Sequence, residues 1–559
     1  MKSRKSIYSY SLKMVEQPIE VNGRVFSKTA KISLRDKNKN LLEKRKYGVY
    51  DVNQIYQQIH NGEAIDIQGC FISNFSIQDY RKKYKIETSQ PVQIKNFNAS
   101  NAFFESDKLV NFSNIEFVGE YTIFSNAHFG TGSLTFLKSK FQTSLVDFSD
   151  TSFGEGNNSF KYTEFSKGLV TFENASFING NLSFVNASFN DGKTTFKNVN
   201  FGNGDVTFKF ASFGHGIVNF ERAIFRGILT DFSKVDFGTG KVDFRRANFG
   251  NSEVSFEEIA LKDNRLIFRR AKFGSRPLIF KNSELLNSEI ILDETEFASG
   301  RVSFFGVKAS RIALKSTILS GYIDFRVEEC EVIDLSNAII HNIIDFKKGI
   351  TKVKIERLYI YSVRNLGKLF IHWEENDIPK IIGQQTKTTY FQKAEQYRIL
   401  KEDFHTMGQY EDEDRAYIEF KRNELKDRLQ ASKKKPFLTR LSTYLSFGFQ
   451  KLIFDWMGKY ATSPVRVLVS IFTTYGIFSM LYILLEFTNH GHISCMSLNM
   501  TGFERFVDSF YFSAVTFLTI GYGDCIPTGA FKVIAPMEGW VGVFMMSNFT
   551  VAFARKILR

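Results

Sequence analysis

The stretch of this chain best suited to a chemical task is a run of six residues, 519–524, which lies between two apolar stretches. The run is Thr519, Ile520, Gly521, Tyr522, Gly523 and Asp524. Glycine at alternate positions supplies backbone angles that a residue with a Cβ resists. Such a backbone can point successive carbonyl oxygens, and one threonine hydroxyl, at an axis where they replace the hydration shell of a bare K⁺ ion. We therefore predict a K⁺ site at Thr519, Ile520, Gly521 and Tyr522.

The elements on either side must position this run. Residues 504–518 have the length and apolar spacing of a short helix that ends where the run begins, and the partial negative charge at a helix C-terminus favours a cation. Residues 467–485 are 19 consecutive positions without a charge, enough to span the roughly 30 Å hydrocarbon core of a membrane. Residues 533–554 form a second apolar stretch with one charged residue, Glu538. This order predicts a pore loop between two membrane helices.

Residues 511–524 resemble the signature of the tetrameric potassium channels, in the prokaryotic form with two membrane helices and a pore loop. The resemblance implies a homotetramer in which residues 519–524 of four copies form the selectivity filter. It also implies that Tyr511, Val515 and Thr516 support the filter from behind, with Tyr511 hydrogen-bonded to Asp524. Leu518 departs from the family, which more often has threonine there, so we assign no filter role to its side chain.

Glu538 is the one acid inside an apolar stretch. A carboxylate in hydrocarbon costs at least about 2.5 kcal/mol, so Glu538 should face protein or water rather than lipid. It follows Phe531 by about seven residues, roughly 10 Å along a helix and level with the filter. Two interpretations stay open. Either Glu538 couples the inner helix to conduction, with Gly542 as a hinge, or it is a structural group satisfied between helices.

The cysteines and histidines do not form a metal-binding pattern. None of the four cysteines has CxxC spacing, and the eight histidines are scattered, so no zinc site is indicated. Cys495 and Cys525 both fall on the outer side of the predicted pore, where a disulfide would hold the outer mouth. Two free thiols are the alternative. We expect no cofactor, since K⁺ is the permeating ion.

Phenylalanine dominates the rest of the chain, with 60 residues against 3 Trp and 22 Tyr. From Phe112 to Phe304 a 12-residue period has Phe at 16 of 17 positions, and a second series offset by five has Phe at 14 of 16. Residues two apart in a strand share a face, so each unit is a short strand with inward side chains. Units of this kind cannot bury a face alone, but stacked coils can.

This pattern resembles the pentapeptide-repeat family of right-handed, four-sided β-helices. The resemblance implies coils of 24 residues in which Phe148, Phe172 and Phe196 stack at about the 4.8 Å strand spacing. The Phe series itself is core, and the outward Arg245 and Arg246 are a solvated face. After Phe304 the period slips, which predicts irregular final coils.

We therefore predict a multidomain chain with a β-helix, a helical hairpin and an all-α pore domain. Its parts are a flexible arm (1–50), a capped β-helix (51–363), a helical hairpin linker (364–436), an interfacial amphipathic helix (437–463) and the two-helix pore domain (464–559). The hairpin is either a spacer that caps the β-helix or a lever that carries movement to the membrane. We expect control to reach the pore only through its first helix or its filter, because the chain ends just past the second helix.

The distribution of charge predicts which part of the chain contacts lipid and on which side of a membrane the termini lie. The net charge is +14, which admits nucleic acid or anionic lipid as a partner. Lys433, Lys434 and Lys435 begin the interfacial segment, where lysines suit anionic headgroups, so lipid is favoured and nucleic acid is not. Basic residues flank both apolar stretches on one side, which predicts a multi-pass cell membrane protein with both termini in the cytoplasm. A cytoplasmic ligand or protein partner is not identified.

The favoured function is a potassium-selective channel regulated or scaffolded by the β-helix. The alternative is a membrane-anchored β-helix that serves as an interaction scaffold, with conduction secondary. An enzyme is not expected, because the scattered histidines and the absence of paired acids at 24-residue spacing give no catalytic cluster. No series of voltage-sensing arginines precedes the first apolar stretch.

Overall fold

The computed structural model describes residues 7–347, 354–488, 490–495 and 501–558. The chain divides into two compact units, Met1–Gln385 and Thr386–Arg559. The first unit consists mainly of short strands, and the helices of the second follow one another to the C-terminus. This confirms the predicted order of a β-helix, a helical hairpin and a helical C-terminal region.

The first unit begins with longer strands and two helices. These are β1 (Ser9–Val15), β2 (Ile19–Val21), β3 (Arg24–Phe26), β4 (Thr29–Arg35), β5 (Leu41–Tyr50), α1 (Val52–Asn61), β6 (Ala64–Asp66), β7 (Cys70–Ser73) and α2 (Ile77–Tyr84). Asp51 caps α1 by accepting a hydrogen bond from the Asn53 backbone N–H.

The prediction of a flexible arm over residues 1–50 is wrong for residues 9–50. β1 and β5 pair with β4 in antiparallel fashion, and β5 continues in parallel with β7. Ala30, Ile32 and Leu34 alternate along β4 and are buried against Phe71 and Phe103. Because the residues between them are polar and only half-buried, the composition of the segment suggested disorder although one of its faces is core.

The remaining strands are mostly two or three residues long. They are β8 (Val92–Asn98), β9 (Phe103–Glu105), β10 (Leu109–Asn111), β11 (Ile115–Ile123), β12 (His128–Phe129), β13 (Ser133–Thr135), β14 (Lys140–Gln142), β15 (Leu145–Asp147), β16 (Asn158–Ser159), β17 (Glu164–Phe165), β18 (Leu169–Thr171), β19 (Leu182–Ser183), β20 (Lys193–Thr195), β21 (Val206–Thr207), β22 (Val218–Asn219), β23 (Leu229–Asp231), β24 (Val242–Asp243), β25 (Glu253–Ser255), β26 (Ala260–Lys262), β27 (Arg265–Ile267), β28 (Lys272–Phe273), β29 (Leu278–Ile279), β30 (Glu284–Ile291), β31 (Glu296–Phe297), β32 (Val302–Ser303), β33 (Lys308–Ala313), β34 (Ile318–Leu319), β35 (Ile323–Asp324), β36 (Glu329–Asp334), β37 (Ile339–Ile340), β38 (Ile343–Asp345), β39 (Lys354–Tyr359), β40 (Arg364–Asn365) and β41 (Lys368–Phe370).

These strands form four rows of parallel pairs, and in the regular coils the partners in each row lie 24 residues apart. One pair from each row shows the register: Leu134 with Asn158, Lys140 with Glu164, Leu145 with Leu169, and His128 with Ser152. Four strands and four corners per coil make a four-sided β-helix. The predicted coil of 24 residues is confirmed.

The interior of the β-helix is a set of stacked rings. Phe172 lies between Phe148 and Phe196, with ring centroids 4.8 and 5.0 Å away and nearly parallel planes. All three side chains have no exposed surface. The ring spacing matches the distance between paired strands, so one residue type at a fixed interval fills the core at each level.

The last coils are shorter, as the slipping period predicted. Phe304, Phe325 and Phe346 remain stacked, but they lie 21 residues apart, as do the paired residues Val302 and Ile323. The β-helix ends at β41, beyond the predicted boundary of 363, and the short helix α3 (Ile378–Gly383) packs on β39. The strand β39 starts at Lys354, the first residue of the second described range.

The second unit begins with the predicted helical hairpin. Its helices are α4 (Tyr390–Thr406) and α5 (Tyr410–Ser432), and Gly408 between them has a φ of 71°. A left-handed residue of this kind ends a helix at little cost only when it is glycine. Tyr397, Leu400 and Phe404 form the buried stripe of α4 that their spacing predicted.

The helices that follow are apolar. α6 (Phe437–Gln450) continues into a π-helical segment (Lys451–Trp456), and none of the described residues of either is buried within the chain. Then come α7 (Pro464–Phe487), α8 (Gly502–Phe517) and α9 (Phe531–Ile557). The predicted interfacial helix over 437–463 therefore ends at Trp456 and is followed by turns.

Candidate functional site

The candidate site is built where α8 ends. Thr501 and Glu504 form a capping box at its first turn, each accepting a hydrogen bond from the backbone N–H of the other. The helix runs for 16 residues, about 24 Å, and packs against both α7 and α9. Its C-terminal carbonyls therefore face the beginning of the 519–524 segment.

The 519–524 segment has a left-handed backbone at every second residue. The φ angles are 55° at Thr519, 63° at Gly521 and 80° at Gly523. Ile520 and Tyr522 between them do not have a positive φ. A chain that alternates in this way turns successive peptide groups toward one side, unlike a strand, in which they point to opposite sides. Gly521 and Gly523 adopt this left-handed conformation readily because they have no Cβ. Thr519 adopts it although a Cβ makes the left-handed conformation unfavourable.

The last turn of α8 anchors the start of the segment. The carbonyl of Val515 accepts a hydrogen bond of 2.9 Å from the backbone N–H of Ile520, and the carbonyl of Thr516 accepts one of 3.0 Å from Thr519. These two residues were predicted to support the segment. Both lie in the last turn of α8 and hold the first two residues of the segment through main-chain hydrogen bonds.

Tyr511 and Asp524 connect the helix to the far end of the segment. The Tyr511 hydroxyl donates a hydrogen bond of 2.7 Å to Oδ2 of Asp524. Tyr511 lies in α8 and Asp524 is the last residue of the segment. The bond therefore connects the far end of the segment to the helix that precedes it. The expected contact is present.

Glu538 is fully buried and joins three helices. Its Oε2 accepts a hydrogen bond of 2.7 Å from the hydroxyl of Tyr482 in α7, and its Oε1 accepts one from the hydroxyl of Ser513 in α8. The carboxyl group thus has a partner on each neighbouring helix, which is how a buried polar group in an apolar setting is satisfied. The sequence predicted that Glu538 faces protein or water rather than lipid, and its side chain lies among protein groups.

The glycines after Glu538 bring α9 close to the end of α8. A Cβ on Gly542 would overlap the carbonyl oxygen of Phe517, while one on Gly539 would lie 3.6 Å from the carbonyl of Thr516. Gly542 therefore permits the helices to touch at this point. It was predicted as a hinge, and its close packing is a separate reason for glycine at this position.

A disulfide closes the other side of the segment. Cys495 and Cys525 are bonded, with Cα atoms 5.1 Å apart. Next to it, Ile493 forms a bridge with Pro527, and the hydroxyl of Ser494 accepts a hydrogen bond from the Ile526 backbone. The predicted disulfide is therefore present, and it fixes the chain just after Asp524.

Sequence reasoning missed two kinds of residue here. Tyr482 and Ser513 were not singled out, although hydroxyl groups within apolar helices are a signal for a buried polar partner. The second omission is Asp414 in α5, which forms an ion pair with Arg555 near the end of α9, with 2.8 Å between Oδ1 and Nη2. The expectation that control reaches the pore only through its first helix or filter did not include this direct contact between the hairpin and α9.

The helices α6 to α9 expose many large apolar side chains. One helix among the described residues, α7, is long and apolar enough by length and composition to cross a membrane. α9 is longer, at 27 residues, but carries charged residues at both ends and at Glu538. The whole 519–524 segment is exposed within one chain, and Tyr522 is 70% exposed.

Metal-binding side chains do not account for this site. No group of three or more His, Cys, Asp or Glu that could hold a metal ion occurs in the described part of the chain. A cation at residues 519–524 would meet backbone oxygens instead, and these suit a monovalent ion that must later be released.

Comparison with known proteins agrees with this description of the second unit. Residues 470–559 match a family model described as an ion channel. A search of curated proteins and a search of solved structures each returned no match. The matched residues begin within α7 and include all of α8, the 519–524 segment and α9. This region of the chain is therefore similar to ion channels.

Proposed function

We propose that this protein is a potassium-selective channel of the two-helix type, with a pore formed by four identical chains. The observation that carries the proposal is the alternating left-handed backbone at Thr519, Gly521 and Gly523 in a region similar to ion channels. Few other tasks require a row of carbonyl groups turned to one side at the end of a short helix. K⁺ is the permeating ion, and the proposal needs no cofactor.

Residues 519–524 are the selectivity filter in this proposal. The carbonyl groups of Thr519, Ile520, Gly521 and Tyr522, with the Thr519 hydroxyl, replace the water around K⁺, and Gly523 and Asp524 complete the segment. A single chain offers only one side of such a site, and the exposure of the whole segment fits a ring completed by three further copies. The C-terminus of α8 adds a partial negative charge that favours the ion.

The neighbouring side chains keep this filter in place. Tyr511, Val515 and Thr516 hold its two ends from behind through the hydrogen bonds described above. Glu538 links the filter helix to the two membrane helices. We propose that this connection lets the position of α9 affect conduction through the filter, with Gly542 as the point of contact.

The membrane arrangement is part of the proposal. α7 has 24 residues and α9 has 27, about 36 and 40 Å of helix, so both can span a bilayer. Basic residues before α7 and at the end of α9 support a multi-pass protein with both termini in the cytoplasm. Lys433, Lys434 and Lys435 precede α6, whose apolar side chains are exposed, which fits a helix lying among anionic headgroups.

The β-helix then regulates or scaffolds the pore. The alternative function is an interaction scaffold in which conduction is secondary. Binding partners that persist after removal of residues 464–559, together with no selective flux in the full chain, would favour the scaffold. A large effect of the β-helix on flux would favour regulation.

The deciding experiment is K⁺ flux through the full chain in liposomes, with Na⁺ as the competing ion. We expect K⁺ to pass and Na⁺ to be excluded. Gly523→Ala should abolish the flux, because alanine resists a φ of 80°. Gly476→Ala in α7 is the matched control, since a Cβ there meets nothing within 4 Å and the backbone is helical. Equal passage of Na⁺ and K⁺ by the unaltered protein would reject the proposal.

A further inference from the structure

The hairpin helix α5 contacts the end of α9. Nη2 of Arg555 lies 2.8 Å from Oδ1 of Asp414, and Nζ of Lys556 lies 4.0 Å from its Oδ2. The guanidinium of Arg555 also stacks over the ring of Tyr417, 4.7 Å from its centroid. A planar cation between a carboxylate and an aromatic face is held more firmly than an exposed ion pair.

This contact is largely shielded from water. Asp414 is 7% exposed and the adjacent Glu413 is 5% exposed, and Arg555 also lies 3.9 Å from Glu413. Buried carboxylates are unfavourable unless a cation accompanies them, so the two acids need a basic group at this place. Arg555 and Lys556 lie in the last turn of α9, where positive charge is stabilised by the helix dipole.

The helix α5 also contacts the segment that precedes α7. Arg422 of α5 contacts Asp455 with its Nε and Nη2 atoms, at 2.7 to 3.0 Å. Asp455 belongs to the π-helical segment before α7. Asp414 and Arg422 are eight residues apart, about 12 Å along α5. One helix therefore contacts both the end of α9 and the segment that precedes α7.

The helices α7 and α9 pack against each other and against the C-terminal end of α8. Val467 of α7, Met545 and Ala552 of α9, and Phe517 of α8 belong to one buried cluster. A shift of the α9 end relative to α7 must disturb this cluster. Such a shift would also strain the two α5 contacts, because both belong to one continuous helix of 23 residues.

We propose that α5 is a clasp that sets the opening of the pore. The clasp consists of Asp414 and Arg422 on α5 with their partners Arg555 and Asp455. While both ion pairs are formed, the end of α9 is fixed relative to α7. Movement of the hairpin moves or releases α9 and so changes conduction. This inference rests on the proposed channel function and identifies how the region outside the pore controls it.

The test is a double-mutant cycle on the full chain, read as open probability in single-channel recordings. Asp414→Asn and Arg555→Gln should each change open probability about tenfold and in the same direction, within the usual range for coupled sites. The double variant should differ little from either single variant, because both break one contact. The ratio of K⁺ to Na⁺ permeability should stay as in the unaltered protein.

The matched control is a second ion pair on α5. Nη2 of Arg428 lies 2.7 Å from Oε1 of Glu424, and this pair is more exposed and lies within the helix itself. Arg428→Gln should leave open probability within about twofold, as expected for an exposed pair. If Arg555→Gln fails to assemble, Arg555→Lys replaces it, keeping the charge without the planar fork, with an expected change of about threefold.

The possible outcomes separate the two proposals. Selective K⁺ flux with unchanged open probability in the assembled clasp variants would overturn the clasp alone. Effects of Asp414→Asn and Arg555→Gln that simply multiply in the double variant would also overturn it, since the two residues would then act independently. Absence of selective flux in the unaltered protein would overturn the channel proposal and the clasp with it.

Discussion

The hydroxyl of Tyr511 in α8 donates a 2.7 Å hydrogen bond to Asp524, thirteen residues further along the chain. Everything between them is either the last turns of α8 or the 519–524 segment. The bond therefore fixes the segment at its far end, while the carbonyls of Val515 and Thr516 fix it at its start. In a pore of four chains this connection would occur four times around the ion path.

Tyr511→Phe should weaken the filter without unfolding the chain. The ring is retained, but the hydrogen bond to Asp524 is lost, so the far end of the segment becomes free to move. We expect currents that decline faster during sustained K⁺ conduction, measured in bilayer recordings. Tyr444→Phe on the exposed α6 removes a hydroxyl far from the segment in sequence and is the control. Equal decline in all three proteins would show that Tyr511 only packs.

Glu538→Ala should destabilise the second unit more than Glu538→Gln. Alanine removes the acceptor of two buried hydroxyls, those of Tyr482 and Ser513, and each buried polar group left in this way costs about 1–3 kcal/mol. Glutamine keeps the shape and an acceptor oxygen. The measurement is the thermal midpoint of the assembled protein in detergent.

The same pair of variants tests whether Glu538 acts in conduction. Open probability of the unaltered protein and of Glu538→Gln is compared from acid to neutral pH. An identical response in both proteins would leave Glu538 with a structural role only. A pH response that disappears in Glu538→Gln would support its proposed coupling to the filter.

The four cysteines should react in two distinct groups. Burial raises the pKa of the Cys70 and Cys330 thiols to about 12, so at pH 8 roughly one in ten thousand is the reactive thiolate. Cys495 and Cys525 form the disulfide. A maleimide should therefore label no cysteine of the native protein, and after mild reduction it should label only the latter two. Labelling of both Cys495 and Cys525 without reduction would show that they are free thiols.

Phe196→Ala should destabilise the β-helix by about 3–5 kcal/mol, the usual range for removing a buried ring. Phe196 has no exposed surface and stacks on Phe172 and Phe220, at 5.0 and 4.7 Å. Phe210→Ala is the control, because Phe210 is 48% exposed. The readout is the denaturant midpoint of the β-sheet signal in circular dichroism. Equal midpoints for the two variants would contradict a core held together by stacked rings.

Local repetition explains what could be predicted from the sequence. The inward Phe side chains follow from one residue recurring at a fixed interval, whereas the coil of 24 residues, and with it the stacking of Phe148, Phe172 and Phe196, came from the resemblance to four-sided β-helices. The short helix before residue 519 and its contact between Tyr511 and Asp524 lie within a few turns of one another. That helix and that contact are both present in the structure.

The features that were missed depend on partners distant in sequence. The strands over residues 9–50 are held by Phe71 and Phe103 of the first coils, and nothing in their own composition indicates that support. The ion pair of Asp414 with Arg555 joins residues more than a hundred positions apart on two helices. Charges on helices usually face water, so their sequence alone gives no reason to pair them.

The 24-residue register also determines how the first unit can change in evolution. Each regular coil pairs only with the coil before it and the coil after it, in the same register. Duplication or loss of 24 residues between Phe112 and Phe304 would leave every ring stacked on another ring, and would alter the length by about 4.8 Å. An insertion whose length is not a multiple of 12 would put a corner residue where a ring belongs. In the final coils the stacked rings lie 21 residues apart, so duplication or loss of 24 residues there would break the stacking. We therefore expect coils to be added or lost only among the regular coils.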